Sequence, residues 1–305
     1  MASGTVIQPG SWQAWKAAFR PASLPLTVGP VAVGAAMGFW RTGELPVVLT
    51  ALALAAALLM QIITNLQNDI GFTARGGERV GQRIGLPRAT AEGWLRLSTV
   101  RRVILGLCLL ATALGLTLVV WRGWPVLAIG VASLTAALAY MGGPKPIAYT
   151  PLGELTVLLF FGLVAVLGTD WLLTGGASVV SVLAALAVGS LAAAALAVNN
   201  HRDLEHDRQV GRRTFAALFG VRASAWLLAG LLVGPFVLVL LMASAGWPLL
   251  LPWLLAPTVA GLYRDFRQCQ PGPAYNTILF RVFRLELGFA VLLSAGAVLA
   301  RLLGS

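Results

Sequence analysis

The feature that most constrains this chain is the recurrence of apolar runs too long for a water-soluble fold. Runs of 17 or more mostly apolar residues occupy 24–40, 46–66, 102–121, 125–141, 152–174, 178–198, 223–243, 246–262 and 278–300. Each is long enough to cross a hydrocarbon core about 30 Å thick as a helix. Only 11% of the 305 residues are charged, well below the roughly 25% of soluble domains. In lipid every backbone amide and carbonyl must be satisfied within its own segment, which favours helices. The expected fold is therefore all-α, a polytopic membrane bundle of nine transmembrane helices.

The net charge of +11 could point to nucleic acid, but the basic residues follow the connections between spans and form no single stripe. With the N-terminus in the cytoplasm, 19 of the 22 Lys and Arg residues fall on the inner side, leaving Arg41, Arg122 and Arg301 outside. This is the positive-inside asymmetry. It predicts a multi-pass protein of the cell (inner) membrane, with its C-terminus on the opposite side. Residues 1–23 carry Trp12, Trp15, Lys16 and Arg20 but no apolar core of a cleavable signal, and read as an interfacial lead-in to a single domain spanning 1–305. Cys108 lies in a span and Cys269 in a cytoplasmic connection, so no disulfide framework is available.

External connections are short, whereas two cytoplasmic ones, 67–101 and 199–222, hold most of the acids and most of the arginines. Each starts with asparagines at a span end, passes through carboxylates and reaches a basic stretch. Val80-Gly81-Gln82-Arg83 echoes Val210-Gly211-Arg212-Arg213. Four spans precede the connection at 142–151 and five follow it, so two four-helix pseudo-repeats plus a final helix are expected. Both polar segments would then lie at equivalent ends of one bundle.

Asp203 and Asp207 are four apart, so a helix continuing past Asn199 stacks their carboxylates on one face, with Asn200 one turn earlier. Like charges at that spacing repel, and a divalent cation or a nearby arginine would relieve them; magnesium commonly joins one or two carboxylates to phosphates. The alternative is an interfacial cap in which both acids pair with Arg202, Arg208 and Arg212. Asn65, Asn68 and Asp69 form a similar oxygen-rich face at the end of the second span. They either cap that helix or hold a ligand. Arg75, Arg79, Arg83 and Arg88, with Arg202, Arg208, Arg212 and Arg213, supply donors for phosphate oxygens, although topology and anionic lipid account for many of them. Lys145 is the one basic residue of its connection, with Tyr149, Gly153 and Glu154 close behind. Glu154 either caps its helix or orients a substrate.

No Gly-rich nucleotide loop, Cys/His metal spacing or Ser nucleophile elbow is present in the sequence. His201 and His206 flank the acids, but magnesium disfavours imidazole. A transporter would place its acids mid-span; here Asp69, Asp203 and Asp207 cluster with arginines at helix ends, although Glu286 lies within the last span, with Arg281 and Arg284 as its candidate partners.

These residues resemble the UbiA-type intramembrane aromatic prenyltransferases over nearly the whole chain, most closely the 1,4-dihydroxy-2-naphthoate branch. The likeness rests on Asn65-Leu66-Gln67-Asn68-Asp69, Arg83-Ile84-Gly85, Tyr140 to Tyr149, Gly153-Glu154-Leu155 and, most specifically, Asn199-Asn200-His201-Arg202-Asp203 with Asp207-Arg208 and Gly211-Arg212-Arg213-Thr214. The resemblance implies Mg²⁺ held by Asn68, Asp69, Glu78, Asp203 and Asp207. It implies catalysis by Asp69, Asp203, Asp207, Lys145 and Tyr149. Asn65, Asn68, Arg83, Lys145, Asn199, Asn200, Arg202 and Arg212 would bind a polyprenyl diphosphate and an aromatic acceptor such as 1,4-dihydroxy-2-naphthoate, at a lipid bilayer and without nucleic acid. One position departs: the family has an aspartate where this chain has Phe72. Either Asp69 and Glu78 take over the first metal site, or that site is weakened, or this is a divergent paralogue with another acceptor or no activity.

Overall fold

The computed structural model describes residues 7–77, 85–270 and 272–304. No strand occurs among them. The chain opens with helix α1 (Trp12–Phe19), whose first turn is capped by Ser11 Oγ accepting from the Ala14 amide at 3.3 Å. Arg20 stops it with a left-handed backbone, φ 53°, and a short turn at Pro21–Ser23 leads into α2 (Pro25–Thr42) through a bend of 43°.

There follow α3 (Val47–Ala74), α4 (Leu97–Arg122), α5 (Trp124–Ala139), α6 (Gly153–Thr174), α7 (Val179–Arg202), α8 (Leu204–Gln209) and α9 (Phe215–Leu241). A 3₁₀ stretch at Trp247–Leu255 continues as α10 (Ala256–Gln268), and α11 (Ala274–Leu303) closes the chain. A helical segment lies in each of the nine expected intervals. Six of them, α3, α4, α6, α7, α9 and α11, are long and apolar enough to cross a membrane, and the bent α1–α2 pair can make a seventh. Helix α5 has only 16 residues. Pro248, Pro252 and Pro257 withhold amide donors from the stretch 247–257, which accounts for its tighter 3₁₀ winding ahead of α10.

The apolar side chains on the outside confirm a lipid environment. Leu105, Leu109, Val120, Trp121, Trp124 and Val131 of α4 and α5 are all exposed, a patch no water-facing surface would carry, with Trp121 and Trp124 at the helix ends where indoles favour the interface. The chain is thus a multi-pass membrane protein. Its core is centred on α7, whose Val188, Leu191, Ala194 and Val198 are fully buried. Helix α6 winds as a π-helix over Leu158–Leu167, and there Gly162 and Gly189 of α7 meet backbone to backbone: a Cβ on Gly162 would lie 2.4 Å from the Ala185 carbonyl. Small residues at such a crossing replace the hydrophobic drive that lipid does not supply.

Two of the three arginines expected on the outer side are absorbed structurally. Arg41 pairs with buried Asp170 at 3.1 Å, and Arg122 donates to the Leu172 and Leu173 carbonyls at 2.6 and 2.7 Å. Glu286 departs from expectation. Arg281 turns instead to Asp265, at 2.5 Å, while the Glu286 carboxyl packs fully buried against Gly29, without a hydrogen-bond partner among the described residues.

Between α2–α7 and α11 lies a cavity of about 440 Å³. A stripe of α3, from Ala53 and Ala57 through Gln61 and Thr64 to Asn68, runs along its length. This stripe changes from alanine to amide side chains, so one end of the cavity is apolar and the other polar.

Candidate active site

The polar end of the cavity is built by the ends of α3 and α7. Arg20, Asn65, Asn68, Tyr140, Asn199 and Arg202 all line it. Asn65 is held there by its amide, which donates to the Phe19 carbonyl at 2.9 Å and to Ser23 Oγ at 3.2 Å. The lead-in is thereby tied to the cavity mouth.

The expected helical continuation past Asn199 takes the form of two helices with a joint. Helix α7 ends at Arg202, Asp203 leaves helical geometry (φ −92°, ψ 8°), and α8 resumes at Leu204. The i to i+4 bonds nevertheless run through the joint: the Asp203 amide donates to the Asn199 carbonyl at 3.0 Å and the Asp207 amide to the Asp203 carbonyl at 2.7 Å. Asp203 and Asp207 are buried. Arg202 grips Asp203 with two bonds of 2.7 Å and reaches Asn276 at 2.6 Å; Arg212 donates to Asp207 at 2.6 Å. Burial, reinforced by the charge of Asp203 and opposed by Arg212, pushes the Asp207 carboxyl up from 3.8 to about 6. Burial is the main cause, since each of the two carboxylates has an arginine partner.

Asp69 is used differently from its expected place among the metal ligands. One carboxylate oxygen accepts from the Ala89 amide at 3.0 Å and the other from the Thr90 amide at 2.9 Å, with the Thr90 hydroxyl also donating. The side chain is fully buried and, like those of Asp203 and Asp207, is not part of the cavity wall. Both oxygens thus help anchor the loop that returns from the first motif, because buried amides need acceptors. Asn68 stays at the cavity, its carbonyl accepting from Arg88 at 2.7 Å.

Lys145 corrects a second expectation. The turn at Gly142–Pro146 carries it outward, where it is exposed and makes no ion pair among the described residues. Tyr149 lies half-buried between Arg75 and Arg212, each guanidinium carbon within 6 Å of its ring, and burial raises its hydroxyl above the usual range despite those charges. Asn200 is turned from the cavity toward Glu154. Glu78 and Arg83 lie outside the described residues. His201 bonds Ser224 at 2.6 Å, away from the acids.

Phe72 joins the two motifs. Its buried ring stacks on His206 at 6.0 Å and has Arg88 at 4.4 Å and Arg212 at 5.7 Å from its centre. Reading the sequence missed Arg20, Ser23, Gln61 and Tyr140. Gln61 was recoverable, since it stands one turn before Asn65 in an otherwise apolar span.

The arrangement combines oxygen donors suited to a hard cation, several guanidiniums and a largely apolar cavity. It can hold an anionic headgroup at one end and a hydrocarbon at the other. A family model described as the UbiA prenyltransferase family matches residues 27–282. The chain is 35% identical over 254 residues to 1,4-dihydroxy-2-naphthoate octaprenyltransferase of Escherichia coli, covering 78% of this chain and 81% of that protein. Its likeness to the enzyme of that name from Haemophilus influenzae is 31% over 214 residues, 68% of this chain and 69% of the other. A solved UbiA homolog from Archaeoglobus fulgidus, bound to DMAPP and Mg²⁺, superposes with a TM-score of 0.67 at 15% identity, covering 93% of this chain and 99% of that one; at that identity the likeness establishes the fold.

Proposed function

The chain belongs to the UbiA prenyltransferase family, and from that premise we propose that it transfers a polyprenyl group from a prenyl diphosphate to 1,4-dihydroxy-2-naphthoate, a step of menaquinone synthesis. The observation that carries this reading is an otherwise apolar cavity of about 440 Å³ whose polar end is lined by Asn65, Asn68, Asn199 and Arg202, with the buried carboxylates of Asp203 and Asp207 on the stretch that continues from Asn199 and Arg202. The single domain 1–305 would cross the inner membrane nine times, as two four-helix halves and a closing helix, with its N-terminus and both motif connections in the cytoplasm.

The residues present suit Mg²⁺, because the donors are carboxylate and carboxamide oxygens, the ligands a hard cation prefers. Asp203 and Asp207 would hold it, and when bound it would draw charge from the departing diphosphate. Arg202 and Arg212 orient the two carboxylates through the bonds already described. Asn68 and Asn199 face the diphosphate, and Arg20 adds a positive charge at the same wall. As the allylic C–O bond breaks, both bonding electrons leave with the diphosphate and a carbocation forms on the prenyl carbon. The acceptor ring attacks that carbon, and loss of its carboxylate as CO₂ restores aromaticity. The walls of Leu26, Val31, Phe160, Phe161 and Phe283 keep out the water that would quench the cation.

Purified protein supplied with Mg²⁺, a polyprenyl diphosphate and dihydroxynaphthoate is expected to form the prenylated, decarboxylated product by mass spectrometry, and Asp203→Ala or Asp207→Ala to abolish it. Product formation unaffected by EDTA, or none with any prenyl length, would refute the reading.

A further inference from the structure

The lead-in fixes which way two amides of the cavity wall point. Ser23 Oγ donates to the Arg20 carbonyl at 2.9 Å, so its proton is committed and toward other groups the oxygen can only accept. It accepts from Gln61 Nε2 and from Asn65 Nδ2, each at 3.2 Å. Asn65 Nδ2 also donates to the Phe19 carbonyl at 2.9 Å, a group that never donates in return. Both amides are thereby oriented by chemistry, with nitrogen toward the lead-in and oxygen away from it.

Gln61 and Asn65 are buried and both line the cavity from α3. Neither Oε1 of Gln61 nor Oδ1 of Asn65 makes a hydrogen bond among the described residues. Thr27, one turn beyond Ser23 on α2, lines the same cavity, and its buried hydroxyl has no partner among them either. A buried polar group left without a partner costs free energy, which a ligand supplying that partner recovers. Gln61 and Asn65 stand one turn apart on one helix face, about 5–6 Å between Cβ atoms, so their oxygens form a pair of acceptors along the wall.

The substrates of the proposed reaction meet this pair differently. A diphosphate brings only acceptor oxygens, and Asn65, with both N–H groups committed, has nothing to donate to them. A prenyl tail has no polar atom. The aromatic acceptor alone brings hydroxyl protons, two of them at opposite positions of one ring, and a hydroxyl that donates to an amide oxygen leaves more electron density in the ring that attacks. We propose that Gln61 and Asn65 bind the ring hydroxyls of the acceptor, with the Thr27 hydroxyl as a third polar group of the same cavity. Ser23 is a positioning residue in this scheme: by holding both amides oxygen-outward it selects dihydroxy over monohydroxy rings. The proposal rests on the dihydroxynaphthoate reading above and names the wall against which that substrate lies.

The test uses the full-length chain in detergent and compares KM for dihydroxynaphthoate with the inhibition constants of 1-hydroxy-2-naphthoate and 4-hydroxy-2-naphthoate, each of which lacks one hydroxyl. The wild-type chain is expected to favour the dihydroxy ring over either analogue by about tenfold. Gln61→Met, which keeps length but removes the amide, should weaken the dihydroxy ring and one analogue by about tenfold and leave unchanged the analogue that lacks the hydroxyl facing position 61. Ser23→Ala, which keeps the Asn65–Phe19 bond, should raise KM for the acceptor roughly threefold with kcat held, and narrow the discrimination against both analogues; it carries the test if thermal midpoints show Gln61→Met to be misfolded. Discrimination equal to wild type in folded variants would overturn the proposal. So would a matching rise in KM for the prenyl diphosphate or in the Mg²⁺ concentration for half-maximal activity, since the amides would then serve the diphosphate or its cation. Either result leaves the enzymatic reading intact, whereas a wild-type chain that forms no product from dihydroxynaphthoate would overturn both.

Discussion

The side-chain amide of Asn200 donates to Oε1 of Glu154 at 2.9 Å, with both residues buried. This bond pins the start of α6 to the end of α7 one turn before Asp203, and Glu154 Oε2 finds no other partner among the described residues. Asn200→Ala would leave the carboxyl without a donor, at a cost of about 1–3 kcal/mol. The thermal midpoint is expected to fall and activity to drop at least tenfold, whereas Glu154→Gln, which still offers an acceptor oxygen, should stay near wild type. Equal losses in both variants would show that the charge of Glu154, and not the bond, is what matters.

Asp69→Asn tests the anchoring role of that residue. The amide cannot accept on both sides as the carboxylate does, so the loop at 88–95 should loosen, read as faster proteolysis there and a lower melting temperature. The Mg²⁺ concentration for half-maximal activity should not change. A folded variant that loses bound metal would return Asp69 to the ligand set.

Much of this architecture was legible in the sequence because the bilayer imposes a length on every apolar run, and the helices fall where those runs do. The motif at 199–213 was legible for a similar reason, since i, i+4 spacing fixes a shared face whatever the tertiary setting. What the residues do with their partners was not. Asp69 and Asp203 look alike in sequence, yet one faces two backbone amides twenty residues on and the other a neighbouring arginine. Only the path of the returning loop decides that. Lys145 misled because its isolation in a polar turn says nothing of the direction in which Gly142 and Gly143 swing it. Phe72 read as a lost ligand, and its place between two guanidiniums needed coordinates from three segments.

The raised carboxyl of Asp207 gives a pH prediction. Its value in the folded protein, about 6, lies above the ordinary 3.8, so the metal-free protein holds that proton more tightly than the unfolded chain. The contribution to stability is fully present below about pH 4 and is lost as the pH rises through about 6. Cation binding runs the other way, since only the ionised carboxylate coordinates. With one proton displaced per ion, the Mg²⁺ concentration for half-maximal activity should rise about tenfold per pH unit below 6 and level off above it. A flat dependence between pH 5 and 7 would remove Asp207 from the metal site.

The α3 stripe sets the depth available to the prenyl tail. From Asn68 at the polar end to Ala57 is eleven residues, about 17 Å along a helix, and Ala53 lies a further turn down. An alanine at 57 leaves the channel open, so Ala57→Phe would plug it below the level that a dimethylallyl group reaches but within the path of a longer chain. The expected outcome is a fall of more than tenfold in kcat/KM for octaprenyl diphosphate with dimethylallyl diphosphate little affected, because the reacting carbon and the polar end are untouched. Parallel assays of both donors supply the ratio. If it stays constant, the long tail leaves the cavity above Ala57, sideways into lipid, and the lower half of the cavity serves no substrate.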